Sequence, residues 1–133
     1  MNPHYEYVAL RARHRCEYCH APEIIFNFPF EIEHIIPVKL SGTNSNSNLA
    51  LSCRSCNLYK SSHISSTDLE TQTDVTLFHP RKNRWSQHFT VDIESGNILG
   101  LTATGRATVA LLQMNRETQV VARKQWMILD IFP

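Results

Sequence analysis

The chain has 133 residues, of which 42% are hydrophobic and 19% charged, and this composition excludes a chain that is disordered throughout and allows a modest core in one domain. The formal net charge of +1 excludes a uniformly basic surface, so any attraction for phosphate has to come from local groups of lysine and arginine. No run reaches the roughly 20 apolar residues that span a bilayer, and the polar start lacks the apolar segment of a secretory signal, so we expect a cytoplasmic protein with no membrane partner.

The first quarter of the chain is predicted to form a short helix and then one or two strands. Residues 4–13 place small apolar side chains among long ones, which indicates a helix leading to the first cysteine. Residues 24–38 are rich in Ile, Phe and Val and contain two prolines. This pattern predicts one or two short strands, the second ending near residues 34–36.

A strand, a loop, a strand and a helix are the predicted order in the middle of the chain. The polar run SGTNSNSN at residues 41–48 is typical of a surface loop. The apolar run at residues 49–52 suits a buried strand, and a helix is predicted to begin within residues 56–62. Residues 61–76 are rich in Ser, Thr and acidic side chains, and we expect a long linking loop there.

The second half of the chain predicts a β-hairpin and two helices. The hairpin is indicated by a run in which apolar and polar residues alternate, then a Ser-Gly-Asn turn at residues 95–97, then an apolar run. Thr102 or Thr104 is predicted to cap the helix that follows. The predicted bounds are about 88–94 and 98–101 for the strands and about 106–113 and 117–129 for the helices.

Four cysteines occur as two C-x-x-C pairs, Cys16/Cys19 and Cys53/Cys56. In a chain without an export signal, such pairs indicate metal ligands rather than disulfide partners. Two tight turns that each present two thiolates suit a tetrahedral zinc, so we predict one structural Zn²⁺ held by all four cysteines. His20 is an alternative ligand, although four thiolates already complete the shell. Zinc alone would be compatible with a zinc ribbon that catalyses nothing.

The residues around the cysteine pairs form a more specific pattern. EIEHIIP occupies residues 31–37, Asn48 opens the second predicted strand, and CRSCN at residues 53–57 is followed by Lys60. In this combination the sequence resembles the HNH endonucleases, or ββα-metal nucleases, in their cysteine-bearing branch. The similarity runs from about residue 15 to residue 60.

This resemblance implies an α+β fold in a single HNH nuclease domain over residues 1–133. Its catalytic part would be a ββα-metal (HNH) core with the structural zinc, at about residues 15–65. An accessory part at about residues 75–133 would add the C-terminal β-hairpin and helices.

The implied activity is metal-dependent hydrolysis of phosphodiester bonds in DNA. Such a reaction needs an activated water and a cation that neutralises charge developing on the phosphate. His34 is the predicted general base, because imidazole titrates close to neutral pH. By resemblance, Glu33 and Asn57 are the predicted ligands of a single Mg²⁺ or Mn²⁺, whose hard character suits oxygen ligands.

Three further side chains have predicted roles in the same region. Asn48 would hold the loop or orient His34, with an ordinary turn role as the alternative. Arg54 and Lys60 are predicted to contact DNA phosphates. Asn57 also suits a helix cap, which does not exclude metal binding.

Two alternatives remain open from the sequence. The basic cluster at residues 81–85 is compatible with a phosphate-and-stacking patch or with a strand edge beside a core tryptophan. The whole chain is compatible with a non-cleaving, zinc-stapled nucleic-acid-binding or adaptor module on an HNH scaffold. The sequence contains no motif that is predicted to contact base edges. A protein partner is therefore one possible means of directing the chain to particular DNA sequences.

Overall fold

The computed structural model of the chain describes residues 2–133 and shows an α+β protein, as predicted. Its described part contains five α-helices, three short 3₁₀ turns and three two-stranded antiparallel sheets. The α-helices are α1 Tyr5–Arg11, α2 Arg54–Lys60, α3 Trp85–His88, α4 Ala103–Leu111 and α5 Glu117–Ile128. The strands are β1 Glu31–His34, β2 Leu49–Ser52, β3 Ser65–Asp68, β4 Thr73–Thr76, β5 Phe89–Val91 and β6 Ile98–Gly100.

The predicted order of strand, loop, strand and helix in the middle of the chain is confirmed. Strand β1 pairs with β2 in antiparallel register, with Glu31 opposite Ser52 and His34 opposite Leu49, and α2 begins two residues after β2. The apolar stretch before β1 forms only a 3₁₀ turn, Glu23–Ile25. The proline at position 29 restricts the chain there, so a single short strand forms rather than two.

The predicted linking loop at residues 61–76 is wrong, because most of it forms the β3–β4 hairpin. Asp68 closes the turn by accepting hydrogen bonds from the Glu70 and Thr71 amides. The Arg106 side chain of α4 donates two hydrogen bonds to the same carboxylate, at 3.0 and 2.9 Å. An isolated polar hairpin is only marginally stable. The hydrogen bonds to Arg106 of α4 stabilise this one.

The second half follows the prediction more closely. The β5–β6 hairpin forms around the expected turn, and Thr102 rather than Thr104 caps α4 by accepting a hydrogen bond from the Gly105 amide. A side chain at Gly105 would lie 2.1 Å from the His88 carbonyl oxygen, so glycine permits this close approach of α4 to the end of α3. Helix α3 was not predicted, because four residues are too few for a periodic signal.

One hydrophobic core joins the two halves of the chain. It contains the four cysteines together with apolar side chains from both halves, including Leu51, Phe78 and Trp126. The Trp85 indole donates a 2.8 Å hydrogen bond to the Tyr18 carbonyl oxygen, and so fixes the second half beside the first cysteine pair. Within residues 2–133, no helix combines the length and apolar character needed to cross a bilayer.

Candidate metal centre and active site

The four cysteines converge on one buried point. Cys16 and Cys19 lie in the turn after α1, where the His20 amide donates to the Cys16 carbonyl oxygen. Cys53 is the N-cap of α2, and its sulfur accepts a 3.4 Å hydrogen bond from the Cys56 amide. All four sulfur atoms lie within 4.8 Å of one another, so two segments separated by more than 30 residues of sequence meet here.

The donor set fits zinc. Zinc–sulfur bonds of about 2.3 Å in a tetrahedron imply sulfur–sulfur separations of about 3.8 Å, and the Cys19 and Cys53 sulfurs lie 3.7 Å apart. A disulfide needs about 2.05 Å, and all four cysteines are free thiols. His20 is not part of the cluster, because its ring stacks on Trp85 with centroids 4.0 Å apart.

The electrostatics of the cluster favour a thiolate. Burial by itself raises the pKa of the Cys16 thiol, but hydrogen bonds from the three other cysteines outweigh burial and hold that pKa well below its ordinary value. Metal ligation uses the thiolate form. Cys16 and Cys19 in turn raise the pKa of Cys53 and Cys56, so binding of a metal ion would release protons from these two thiols.

Strand β1 presents different side chains on its two faces. Glu31 and Glu33 point towards α2, where Asn57 donates to Glu31 and the Lys60 ammonium lies 2.5 Å from a Glu33 oxygen. Successive strand residues alternate in direction, so His34 points to the opposite face. There its Nε2 atom lies 2.7 Å from the Asn44 side-chain oxygen.

Asn48 holds the loop between the two strands. Its side-chain oxygen accepts from the Ile36 amide at 2.8 Å, and its nitrogen donates to the Ile36 and Thr43 carbonyl oxygens at 3.0 and 2.8 Å. Gly42 lets the loop fold against the strand end, since a side chain there would lie 1.7 Å from the Ile36 oxygen. Of the two roles predicted for Asn48, the contacts are those of a loop clamp and not of a direct partner of His34.

Comparison with protein families assigns this region. Residues 16–63 match the family model described as HNH endonuclease. This part of the chain is an HNH segment. The match spans both cysteine pairs, β1, β2 and α2, and the resemblance inferred from the sequence is confirmed. Neither the search of curated proteins nor that of solved structures finds a match, so the family model is the one comparison that bears on function.

Glu33 is buried in the HNH segment and already has a charged partner, Lys60. Its side chain is only 5% exposed, and that of its partner Lys60 only 1%. Burial raises the pKa of Glu33, while Lys60 and Tyr18 act in the opposite direction. The ammonium of Lys60 also donates a 2.9 Å hydrogen bond to the Ile35 carbonyl oxygen. Lys60 was expected to face a phosphate and is instead enclosed, because it is the charge partner of a buried carboxylate.

The accessible polar groups where the first turn of α2 meets β1 are Asn57, Glu31 and Arg54. Asn57 contacts the Glu31 carboxylate, and the Arg54 guanidinium lies 3.9 Å from the same carboxylate. The Arg54 side chain is 76% exposed and that of Glu31 41%, so both are open to solvent. Sequence reasoning missed Glu31, although its position two residues before Glu33 places it on the same face of β1.

The basic cluster at residues 81–85 is engaged in packing. The Arg81 guanidinium pairs with the Glu17 carboxylate, and the Glu17 side chain also accepts from the Leu51 amide at 2.9 Å. Trp85 is tied to Tyr18 and stacks on His20. These contacts favour the structural interpretation of the cluster over a patch for stacking bases.

Proposed function

We propose that this chain is a metal-dependent endonuclease that hydrolyses phosphodiester bonds of DNA. The observation that carries the proposal is the orientation of His34 in the HNH segment. The ring lies at the end of a paired strand, on a loop held by Asn48, and it contacts the neutral side chain of Asn44. In this arrangement one ring nitrogen is left to accept a proton.

The contact with Asn44 determines which nitrogen of His34 would act. The amide oxygen of Asn44 can only accept a hydrogen bond, so Nε2 is the protonated nitrogen in a neutral ring. Nδ1 then carries the free lone pair. We propose that Nδ1 takes the proton of the water that attacks the phosphorus, which makes His34 the general base.

A divalent cation of the Mg²⁺ or Mn²⁺ type is proposed at the exposed N-terminal turn of α2. The resemblance assigned it to Glu33 and Asn57. In this conformation Glu33 fits poorly, because reaching a cation requires its carboxylate to leave the Lys60 ammonium. Glu31 is the alternative ligand, since it already contacts Asn57 and offers the oxygen atoms that such ions prefer. It lies at the opposite end of β1 from His34 and on the other face, so the cleaved phosphate would have to reach around the strand edge to contact both. When bound, the ion would neutralise charge that develops on the phosphate.

The four-cysteine cluster is proposed to hold a structural Zn²⁺ rather than the catalytic ion. Four thiolates close the tetrahedral shell and leave no position for a water or a phosphate. The four cysteines are buried, and Cys53 lies between β2 and α2. Zinc would therefore hold the two strands and α2 in position, within a ββα-metal core that forms one domain with the C-terminal half.

Arg54 is the proposed contact for DNA phosphate. Its guanidinium is exposed and lies beside the Glu31–Asn57 pair, which places positive charge where the strand to be cut would lie. Lys60 does not share this role while it is paired with Glu33. Recognition would then rest on the DNA backbone, and targeting to particular sequences is left to a partner.

The second candidate function is a non-cleaving nucleic-acid-binding or adaptor module, and the enclosure of Glu33 favours it. If the carboxylate stays paired with Lys60 and Glu31 serves only as a partner for Arg54, no cation binds. Such a module would retain the zinc and the exposed arginine without hydrolysis.

Nicking of supercoiled plasmid separates the two candidates. The parent protein and His34→Ala are assayed with and without Mn²⁺, and DNA affinity is measured on the same preparations at one salt concentration. We expect nicking only with the divalent cation, and a loss of about 10² to 10⁴ in rate for His34→Ala with unchanged affinity. Equal nicking by both proteins contradicts the assignment of His34, and absence of nicking with retained binding supports the adaptor module.

A further inference from the structure

Arg123 on α5 is a buried cation without an acidic partner. Its side chain is among the largest fully buried ones in the chain, at 1% exposure. It donates to the carbonyl oxygens of Gly96 and Met114, at 2.8 and 2.7 Å, and to the Asn115 side chain at 3.3 Å. No carboxylate lies within 4.0 Å of it in the part of the chain that the structure describes.

An arrangement of this kind is costly unless a negative charge lies nearby. Moving a guanidinium out of water carries a desolvation cost that neutral carbonyl groups offset only in part. One of the Arg123 nitrogens, Nε, is also buried without a hydrogen-bond partner. Arginine remains charged in proteins, so the compensating charge has to be a fixed feature of the surroundings.

The loop that Arg123 binds is attached to the segment that carries the second cysteine pair. Arg123 donates to Met114 and Asn115, and the next residue, Arg116, donates a 3.2 Å hydrogen bond to Ser55, between Cys53 and Cys56. Gln119, one turn before Arg123 on the same face, lines a cavity of about 330 Å³ together with Cys53 and Phe26. Trp126, three residues after Arg123, packs against that same Phe26 with ring centroids 6.3 Å apart. Helix α5 and the loop before it therefore pack beside the segment that holds the second cysteine pair.

Four thiolates around one zinc ion would supply the missing charge. Two positive charges against four negative ones leave about −2 on the site, and all four cysteines are buried in the same core as the aromatic neighbours of Arg123. Burial lowers the pKa of Arg123, whereas Cys19, Cys56 and Cys53 act in the opposite direction. The cysteines thus oppose the effect of burial on the Arg123 guanidinium.

We infer that Arg123 is a positioning residue of the four-cysteine metal site, and that its charge couples metal binding to the docking of α5 on the HNH segment. The coupling is reciprocal. The loaded site stabilises the packed helix, and the packed helix raises the affinity of the site for zinc. This assigns a role to the C-terminal part of the chain, which lies outside the family match. The inference rests on the zinc site proposed above and not on cleavage.

Zinc affinity of the full-length chain tests this coupling. Zinc content is first measured by elemental analysis, and affinity is then measured by competition with a chromogenic chelator for the parent, Arg123→Met, Arg123→Lys and Lys124→Met. Lys124 is the matched control, because it is the neighbouring cation on the same helix and its side chain is exposed. Loss of an outer partner of a metal site typically costs about 10- to 100-fold in affinity, and we expect this for Arg123→Met.

The expected pattern separates charge from packing. Arg123→Lys retains the charge and should keep zinc affinity closer to that of the parent than Arg123→Met does, and Lys124→Met should lie within about twofold of the parent. Equal affinities for Arg123→Met and Lys124→Met overturn the inference, as does an equal loss in both Arg123 variants. A parent protein that contains no zinc overturns the zinc site and this inference together, whereas absence of nicking affects neither.

A second measurement does not depend on variants that may fold poorly. Amide hydrogen exchange of the parent is followed while zinc is withdrawn stepwise with a chelator. We expect α5, residues 117–128, to lose protection at a lower chelator concentration than the β3–β4 hairpin at residues 65–76, which is tied to α4. Unchanged exchange in α5 alongside opening at the cysteine pairs contradicts the coupling.

Discussion

The Lys60 ammonium lies 2.5 Å from the Glu33 carboxylate, and both side chains are enclosed in the protein core. The two residues come from α2 and β1, so the pair ties the helix to the strand that ends in His34. A buried ion pair is weak evidence of net stabilisation, but the loss of one partner is costly because the other charge stays buried. This asymmetry makes the pair testable.

Lys60→Met is expected to destabilise the protein by about 3 to 5 kcal/mol, since the Glu33 carboxylate is left without its cation. Urea unfolding at neutral pH measures the change. Lys82→Met removes an exposed lysine and should change the free energy of unfolding by less than about 0.5 kcal/mol. A Lys60→Met protein as stable as the parent would contradict the buried pair and restore the phosphate-contacting role.

Glu31→Gln and Glu33→Gln distinguish the two carboxylates on β1. Because Glu31 is exposed beside Asn57, Glu31→Gln is expected to raise the Mn²⁺ concentration for half-maximal nicking by about tenfold while the fold is retained. Glu33→Gln should mainly lower the free energy of unfolding, since Lys60 loses its partner. A shift in the Mn²⁺ requirement for Glu33→Gln alone would show that Glu33 is the ligand.

Asn48→Ala removes three hydrogen bonds that hold the loop between β1 and β2. At about 1 kcal/mol for each bond, we expect the free energy of unfolding to fall by about 2 to 4 kcal/mol. Asn46→Ala, on the exposed surface of the same loop, is the control and should lie close to the parent. Limited proteolysis should cut the Asn48→Ala loop first, and resistance equal to that of the parent would count against a clamp.

Cys16→Ser is expected to reduce zinc from about one ion per chain to nearly none and to unfold the protein, because a structural zinc contributes directly to folding. Elemental analysis and circular dichroism measure the two effects. His20→Ala should keep its zinc, since that ring stacks on Trp85 outside the cluster. Zinc loss in His20→Ala would return the histidine to the ligand set.

The Asp68–Arg106 pair predicts a loss of stability in acid. Hydrogen bonds from Arg106 hold the pKa of Asp68 well below its ordinary value. A lowered folded-state pKa stabilises the protein above the unfolded-state pKa, and the contribution is lost as the pH falls through the folded-state value.

The stability difference between the parent and Asp68→Asn should therefore be constant above about pH 5 and shrink as the pH falls below about pH 4. Urea unfolding across this range measures it, and Glu94→Gln at an exposed position provides the comparison. A difference that stays constant down to the acid end of the series would show that the pair does not perturb Asp68.

The sequence by itself determined those features that depend on a short, contiguous pattern. The cysteine pairs, the apolar run of β2 and the Ser-Gly-Asn turn are such patterns, because turn geometry and strand periodicity act over a few residues. The motif around His34 also predicted the HNH segment that the family match confirms. Each of these patterns can be recognised without knowing which residues pack against it.

Tertiary structure alone decided which charges meet. The β3–β4 hairpin depends on Arg106, the enclosure of Lys60 depends on Glu33, and the burial of Arg123 depends on segments far away in sequence. The sequence does not show whether a lysine faces solvent or a buried carboxylate, because that outcome depends on the desolvation of both partners in one place. Only the packing of α2 on β1 and of α5 against the β5–β6 turn brings these groups together.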